Sequence, residues 1–66
     1  MIAFRIADMK GPRCAKAVTT AVNGLDRAAV VRVDLAMKTV EIEPVKASAK
    51  QLGDAIRQAG YSAEAA

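Results

Sequence analysis

Apolar and polar residues alternate along three stretches of the chain, and this alternation predicts half-buried strands. The first stretch covers residues 2–7, where apolar side chains occupy almost every second position. Residues 29–35 and 39–43 repeat the pattern, and the short turn between them indicates an antiparallel hairpin that ends at Pro44. A short fourth strand is expected at residues 61–64.

Two other stretches carry apolar residues at spacings of three and four, which predicts amphipathic helices. The first covers residues 14–25, and Asn23-Gly24 is expected to end it in the left-handed conformation. The second is expected to begin at a capping box formed by Ser48 and Gln51 and to stop at Gly60. The apolar positions are Ala17, Val18, Ala21, Val22 and Leu25 in the first helix and Leu52, Ala55, Ile56 and Ala59 in the second.

The resulting order of elements is strand, helix, strand, strand, helix, strand. Because each strand has one apolar face and each helix one apolar stripe, the economical arrangement packs both helices on one side of a four-stranded antiparallel sheet. The sequence therefore predicts an α+β fold of the ferredoxin-like βαββαβ type. Residues 1–66 are expected to form one domain, with the last two residues, Ala65 and Ala66, frayed.

The composition of the chain indicates which compartment suits the protein and which classes of partner are disfavoured. The chain has 53% hydrophobic residues, only two aromatic side chains and a net charge of +3, so a compact domain with a solvated, mildly basic surface is expected. No apolar stretch is long enough to span a membrane. The single cysteine excludes an internal disulfide and suits a reducing compartment. These features favour a cytoplasmic protein that binds neither nucleic acid nor a membrane.

Several functions that this fold supports elsewhere are disfavoured by the residues present. The predicted open face of the sheet carries charged side chains and no aromatic ones, which argues against an RNA-recognition domain. Arg13 lies where a small phosphatase would need an anion-binding arginine, but no polar partner accompanies it. Histidine is absent, and no nucleophile has a base beside it. We therefore expect a protein that is not an enzyme.

The loop between the first strand and the first helix, residues 8–14, carries the remaining chemistry. With this loop the chain resembles the heavy-metal-associated domain, which is found in bacterial copper chaperones and in copper-transporting ATPases. The matching residues are Asp8-Met9, Cys14-Ala15, Ala21-Val22, Leu25, residues 31–35 and 40–42, Leu52, Ala55-Ile56 and Ala59-Gly60-Tyr61. Together they cover nearly the whole chain.

The metal-binding motif of that family is Met-x-Cys-x-x-Cys. Met9 matches its methionine and Cys14 its second cysteine, but Gly11 stands where the first cysteine belongs. The resemblance implies that Met9 is a buried support of the loop and that Tyr61 lies near the metal site and shields the sulfur. The residues expected to support the site are Met9, Gly11, Pro12, Arg13 and Tyr61.

Cys14 is the candidate metal ligand. It lies at the start of the predicted first helix, where unpaired backbone N–H groups favour an anion. Lys10, Arg13 and Lys16 add positive charge nearby, so we expect a lowered thiol pKa and an available thiolate. The plainer interpretation is that Cys14 is a small buried hydrophobic residue. Its place after a Gly-Pro loop argues for partial exposure.

One thiolate supplies half of the near-linear sulfur pair that the resemblance implies for Cu(I), a soft ion that prefers sulfur ligands. The missing thiolate can come from Cys14 of a second chain, which makes a homodimer, or from a small thiol such as glutathione. Zinc is disfavoured because no histidine or second cysteine is available. The leading hypothesis is a copper-chaperone-like module that exchanges Cu(I) with a copper-transporting ATPase or another metal-handling protein.

Two alternatives remain open from the sequence. In the first alternative the domain has lost metal binding and acts as an interaction or regulatory module, which docks on an acidic partner through Lys10, Arg13 and Lys16. In the second alternative Cys14 forms mixed disulfides with other thiols, although the chain has no resolving cysteine.

Overall fold

The order of helices and strands is the one that the sequence predicts. A computed structural model describes all residues, 1–66, and contains two helices and four strands. Their bounds are β1 Ile2–Arg5, α1 Pro12–Leu25, β2 Val30–Asp34, β3 Thr39–Glu43, α2 Ala49–Gln58 and β4 Glu64–Ala65. Helix α1 begins two residues earlier than expected because Pro12, whose fixed φ suits the first helical position, is incorporated into its first turn.

The four strands form one antiparallel sheet in the order β2-β3-β1-β4. β1 lies inside the sheet and pairs with β3 from Ile2↔Ile42 to Arg5↔Thr39. On its other side it pairs with the short β4, where Phe4 lies opposite Ala65. With the two helices packed on one face, the predicted ferredoxin-like fold is confirmed. The chain passes from the end of β1 directly into the loop that precedes α1.

The core lies between the inner face of the sheet and the apolar stripes of the helices. Alternation correctly predicts Val40 and Ile42 as fully buried strand residues, and the helical spacing correctly predicts Val18 and Val22. The buried apolar residues are Phe4, Ile6, Met9, Val18, Val22, Ala29, Val40, Ile42, Leu52, Ile56 and Ala63. Cys14 and Tyr61 pack against this cluster from its edge.

The end of α1 differs from the prediction. Asn23 and Gly24 do not end the helix in the left-handed conformation; the helix continues to Leu25 and ends at Asp26, whose φ is −139°. The physical reason is a different cap. The Asn23 side-chain amide donates to the carbonyl oxygens of Asp26 at 3.3 Å and Ala29 at 3.0 Å, so the turn is stabilised without a left-handed residue.

Asp26 also anchors the segment between β3 and α2. Its side chain is almost completely buried, and Oδ2 accepts the backbone N–H groups of Val45, Lys46 and Ala47 at 2.8, 2.9 and 3.1 Å. These bonds hold the pKa of the Asp26 carboxyl below its usual value. The carboxylate therefore ties the end of α1 to the start of α2.

In the second half of the chain the predicted start and stop of α2 are confirmed, whereas the predicted last strand and tail differ from the structure. Ser48 and Gln51 form the reciprocal capping box, and Gly60 has a φ of +97° directly after α2. The final strand is shorter and later than expected, since it contains only Glu64–Ala65. The tail is not frayed, because the Ala66 N–H donates to the Ala3 carbonyl at 3.0 Å.

Candidate metal centre

The loop between β1 and α1 is anchored in the core by two side chains. Ile6 and Met9 are both buried, Met9 with 1% of its surface exposed, and the Met9 N–H donates to the Ile6 carbonyl at 3.1 Å. The thioether of Met9 therefore lies among the core side chains and does not face the solvent. Its burial agrees with what the resemblance implied, and its role as a support of the loop stays a prediction.

Helix α1 starts directly after this anchor. Gly11 is the N-cap residue, with extended backbone at φ −177°, and its carbonyl accepts the Ala15 N–H at 3.1 Å. Pro12 and Arg13 follow in the first helical turn with exposed side chains. Cys14 is the third residue of α1 and therefore lies in its first turn. No side chain caps this end of the helix.

Cys14 is a free, half-buried thiol whose pKa is lowered from its usual value of 9.0. The main cause is a hydrogen bond from the backbone N–H of Lys10, followed by one from the Tyr61 hydroxyl, and the N–H of Gly11 adds a further donor. Partial burial and the negative charge of Asp8 act in the opposite direction. The thiolate is therefore stabilised chiefly by backbone N–H groups of the loop and by the Tyr61 hydroxyl. The sequence indicated backbone N–H donors, but the cationic side chains that it also indicated are not among the causes.

Tyr61 lies beside Cys14 because of the way α2 ends. The Gly60 N–H donates to the Arg57 carbonyl at 3.0 Å and the Tyr61 N–H to the Ile56 carbonyl at 3.3 Å, which turns the chain back towards the loop. The hydrogen bond to Cys14 raises the pKa of the Tyr61 hydroxyl, and partial burial raises it further. The phenol thus remains a protonated donor near neutral pH.

A second tie between the loop and the segment after α2 was not evident in the sequence. One oxygen of the Asp8 carboxylate accepts the backbone N–H of Ser62 at 3.1 Å and the Ser62 hydroxyl at 2.9 Å. These bonds lower the pKa of the Asp8 carboxyl. Since Ser62 directly follows Tyr61, the tie fixes the tyrosine relative to the loop across 54 positions of the chain.

The basic residues of the loop lie on the surface. Lys10, Arg13 and Lys16 are all exposed, and none of them takes part in an ion pair within the chain. The two ion pairs present join Asp54 to Lys50 and Arg57 on α2. These three cationic side chains are therefore not paired with acidic groups of the chain itself.

The chain on its own offers one soft metal ligand at this site. No group of three or more histidine, cysteine, aspartate or glutamate side chains comes close enough together to hold a metal ion. Gly11 has no side chain, and a Cβ built there meets no atom within 4 Å. Position 11 therefore has room for a side chain, and the chain supplies no second soft donor there.

Comparison with known families agrees with this geometry. The family model described as the heavy-metal-associated domain matches residues 3–62. The chain belongs to the heavy-metal-associated family. The resemblance stated from the sequence is thus confirmed, and it extends over the loop, both helices and the hairpin. No curated protein matches the chain.

Solved structures show how closely this heavy-metal-associated domain follows its relatives. A trimeric, mutant form of the copper chaperone Atx1 from Synechocystis PCC6803 is 39% identical, with a TM-score of 0.92 over 97% of this chain and 100% of that one. A structure titled gold binding protein is 33% identical, with a TM-score of 0.93 over 100% of both chains. The N-terminal domain of PacS from Synechocystis PCC6803, at 20% identity, a TM-score of 0.80 and coverage of 98% of this chain and 94% of that one, shares the fold.

Neither helix of this heavy-metal-associated domain is long and apolar enough to cross a membrane.

Proposed function

We propose that this domain binds Cu(I) through Cys14, completes the coordination with a thiolate from outside its own chain, and passes the ion to another metal-handling protein. The observation that carries the proposal is the half-buried Cys14 thiol, whose pKa is lowered by donors of a loop that Met9 and Asp8 hold in place. A stabilised thiolate on a fixed loop suits a soft monovalent ion.

The other groups near Cys14 are poor ligands for Cu(I). The sulfur of Met9 is buried in the core, and the raised pKa of Tyr61 keeps its phenol protonated. The Asp8 carboxylate is a hard oxygen donor already bonded to Ser62. An external thiolate is therefore the ligand with the right chemistry.

The absent second cysteine makes binding weaker than in a chelate. A second sulfur on the same loop would act at an effective concentration of about 1 mM or more, whereas a separate molecule at micromolar concentration is roughly a thousandfold poorer, or about 4 kcal/mol. Such a site releases Cu(I) readily when a two-thiolate acceptor is offered. Transfer in the cytosol, for example to a copper-transporting ATPase, fits this behaviour better than storage.

The external thiolate can come from Cys14 of a second copy or from a small thiol such as glutathione. A dimer would bring two sets of Lys10, Arg13 and Lys16 together, and their mutual repulsion weakens as salt is added. An anionic small thiol is instead attracted by these side chains, so its complex weakens with salt. The sign of the salt dependence therefore identifies the source.

Anaerobic competition between the protein and a chromogenic Cu(I) chelator tests the proposal. We expect retention of Cu(I) by the wild-type protein to rise with glutathione or with protein concentration, and to be lost in Cys14→Ser. Tyr61→Phe keeps the sulfur and removes only a donor, so it should still retain Cu(I), with a pH dependence moved to higher pH. Equal retention by wild type and Cys14→Ser would contradict the proposal.

A second candidate function is supported by the exposed cations that have no ion-pair partner. In this case the domain docks on an acidic surface through Lys10, Arg13 and Lys16 without binding metal. We expect Arg13→Glu to abolish such binding at low salt while Cys14→Ser has no effect. Loss of binding in Cys14→Ser, with no response to Arg13→Glu, would exclude it.

A further inference from the structure

One edge of the sheet is left unpaired along a full-length strand. The opposite edge is formed by β4, which has two residues, whereas the β2 edge extends over five, Val30–Asp34. β2 bonds to β3 alone, and none of the backbone hydrogen bonds outside helices and strands involves its residues. The strand carries no proline, lysine or bulge of the kind that usually protects an edge.

The side chains along this edge are suited to a copy of the same strand. Three of the five residues are valines. Val30 at the start of the strand is 49% exposed, and Leu35, the first residue of the turn after it, is 39% exposed. Arg32 and Asp34 point to the open face of the sheet and take no part in an ion pair within the chain. A partner strand that offers valines and the complementary charges would therefore match it.

We propose that the β2 edge is a self-association surface, where two copies pair their β2 strands antiparallel about a two-fold axis at Val33 to form one continuous eight-stranded sheet. Directly opposed residues in a sheet point to the same face. If all helices of the dimer lie on one side of the sheet, two opposed residues must therefore both have even numbers or both have odd numbers. This condition leaves few registers.

Charge selects among those registers. Axes at Arg32 or Asp34 place two like charges directly opposite each other, which is destabilising. The axis at Val33 places Arg32 of each copy opposite Asp34 of the other, and it also brings Val31 opposite Leu35, the first residue of the turn after β2. It is the register that pairs both charges and covers the exposed Leu35.

This contact differs from a copper-bridged dimer. Cys14 lies in the loop after β1 and takes no part in the β2 edge, so the two associations use different surfaces. Pairing through β2 is expected without metal and in Cys14→Ser, at protein concentrations of about 0.1–1 mM because the contact is small. Its failure would leave the proposed Cu(I) function untouched.

Disulfide trapping in the Cys14→Ser background tests the register. With the axis at Val33, the two Val33 residues face each other at a Cα separation of about 4.5–5.5 Å, within the range of a disulfide. We expect Val33→Cys to form a covalent dimer under mild oxidation. The matched variant Val31→Cys keeps both charges, faces position 35 of its partner and should cross-link much more slowly. Equal rates for both variants would overturn the register.

Charge exchange tests the pairing itself, by sedimentation with circular dichroism to confirm folding. Asp34→Lys, which faces the neutral Thr39 within its own sheet, should weaken dimerisation about tenfold because two attractive pairs become repulsive. The exchange of Arg32→Asp with Asp34→Arg, combined with Glu41→Lys so that position 32 keeps an opposite charge across from it, should restore it. The control Glu43→Lys should leave it unchanged. A wild-type protein that stays monomeric at about 1 mM, or a dimer insensitive to Asp34→Lys, would overturn the proposal.

Discussion

Introducing a cysteine at position 11 is predicted to turn the weak site into a chelate. Gly11 has an extended φ of −177°, which any residue adopts, and a Cβ added there meets no atom within 4 Å. Gly11→Cys therefore introduces a thiol without backbone strain or a steric clash. It lies at the N-cap of α1, three residues before Cys14, on the same turn of chain.

The expected gain follows from the change in effective concentration. An intramolecular thiolate at about 1 mM or more replaces an external one at micromolar concentration, so Cu(I) affinity should rise about a thousandfold, equivalent to ~4 kcal/mol. Binding should also become independent of protein concentration and of added glutathione. The change in stability should be small, since glycine at an N-cap without a side-chain bond is only slightly better than cysteine.

Competition with a chromogenic chelator, carried out anaerobically at two protein concentrations, measures this gain. Gly11→Ser is the matched control, because it has nearly the same size and lacks the sulfur. The double variant Gly11→Cys with Cys14→Ser has a single thiol and should bind no more tightly than wild type. An affinity for Gly11→Cys within a factor of three of wild type would refute the reasoning, because it would mean that the wild-type coordination is already complete.

Three further predictions concern the thiol, the helix ends and the acid response. Tyr61→Phe removes a donor to the Cys14 thiolate, so the pH profile of Cys14 alkylation should move to higher pH; an unchanged profile would show that the hydroxyl does not bond to the sulfur. A Cβ at Gly24 or at Gly60 meets no atom within 4 Å, but Gly60 has a φ of +97°. Gly24→Ala should therefore stabilise the fold by about 0.5–1 kcal/mol, whereas Gly60→Ala should destabilise it by about 1 kcal/mol. Urea titration compares the two, and equal effects would contradict the argument. The folded-state pKa of Asp26 lies below its usual 3.8, so the charged carboxylate stabilises the fold above that pH, and this stabilisation is lost as pH falls through the folded-state pKa. Asp26→Asn should therefore lower the melting temperature at pH 7 and flatten the dependence of the melting temperature on pH below about 4. A variant that keeps the wild-type acid dependence would disprove this role.

Most of the fold could be predicted because its signals are local. The alternation around Val40 and Ile42 records which face of a strand is buried, and the Ser48–Gln51 capping box needs only four consecutive residues. Gly60 is also a local signal: it was correctly predicted as the stop of α2, and the structure gives it a φ of +97°. Residue types and their spacing decide such features before tertiary contacts form.

The errors and omissions involve contacts between distant parts of the chain. Asp26 accepts backbone N–H groups 19–21 positions away, and backbone amides carry no residue-specific pattern that could reveal the contact. The tie from Asp8 to Ser62 spans 54 positions and is hidden for the same reason. The sequence correctly indicated backbone N–H donors for the Cys14 thiolate, but not that the largest contribution to its lowered pKa comes from the Lys10 N–H in the loop before the helix.

The measurement that tests the central claim most directly is the composition of the copper complex. Mass spectrometry under non-denaturing conditions, together with copper-edge X-ray absorption, counts the chains, the small thiols and the sulfur ligands on each Cu(I). The account predicts two sulfur ligands per copper, only one of them from any one chain, in a complex that Cys14→Ser cannot form. A monomer that holds Cu(I) without an added thiol, or copper bound equally well by Cys14→Ser, would contradict it.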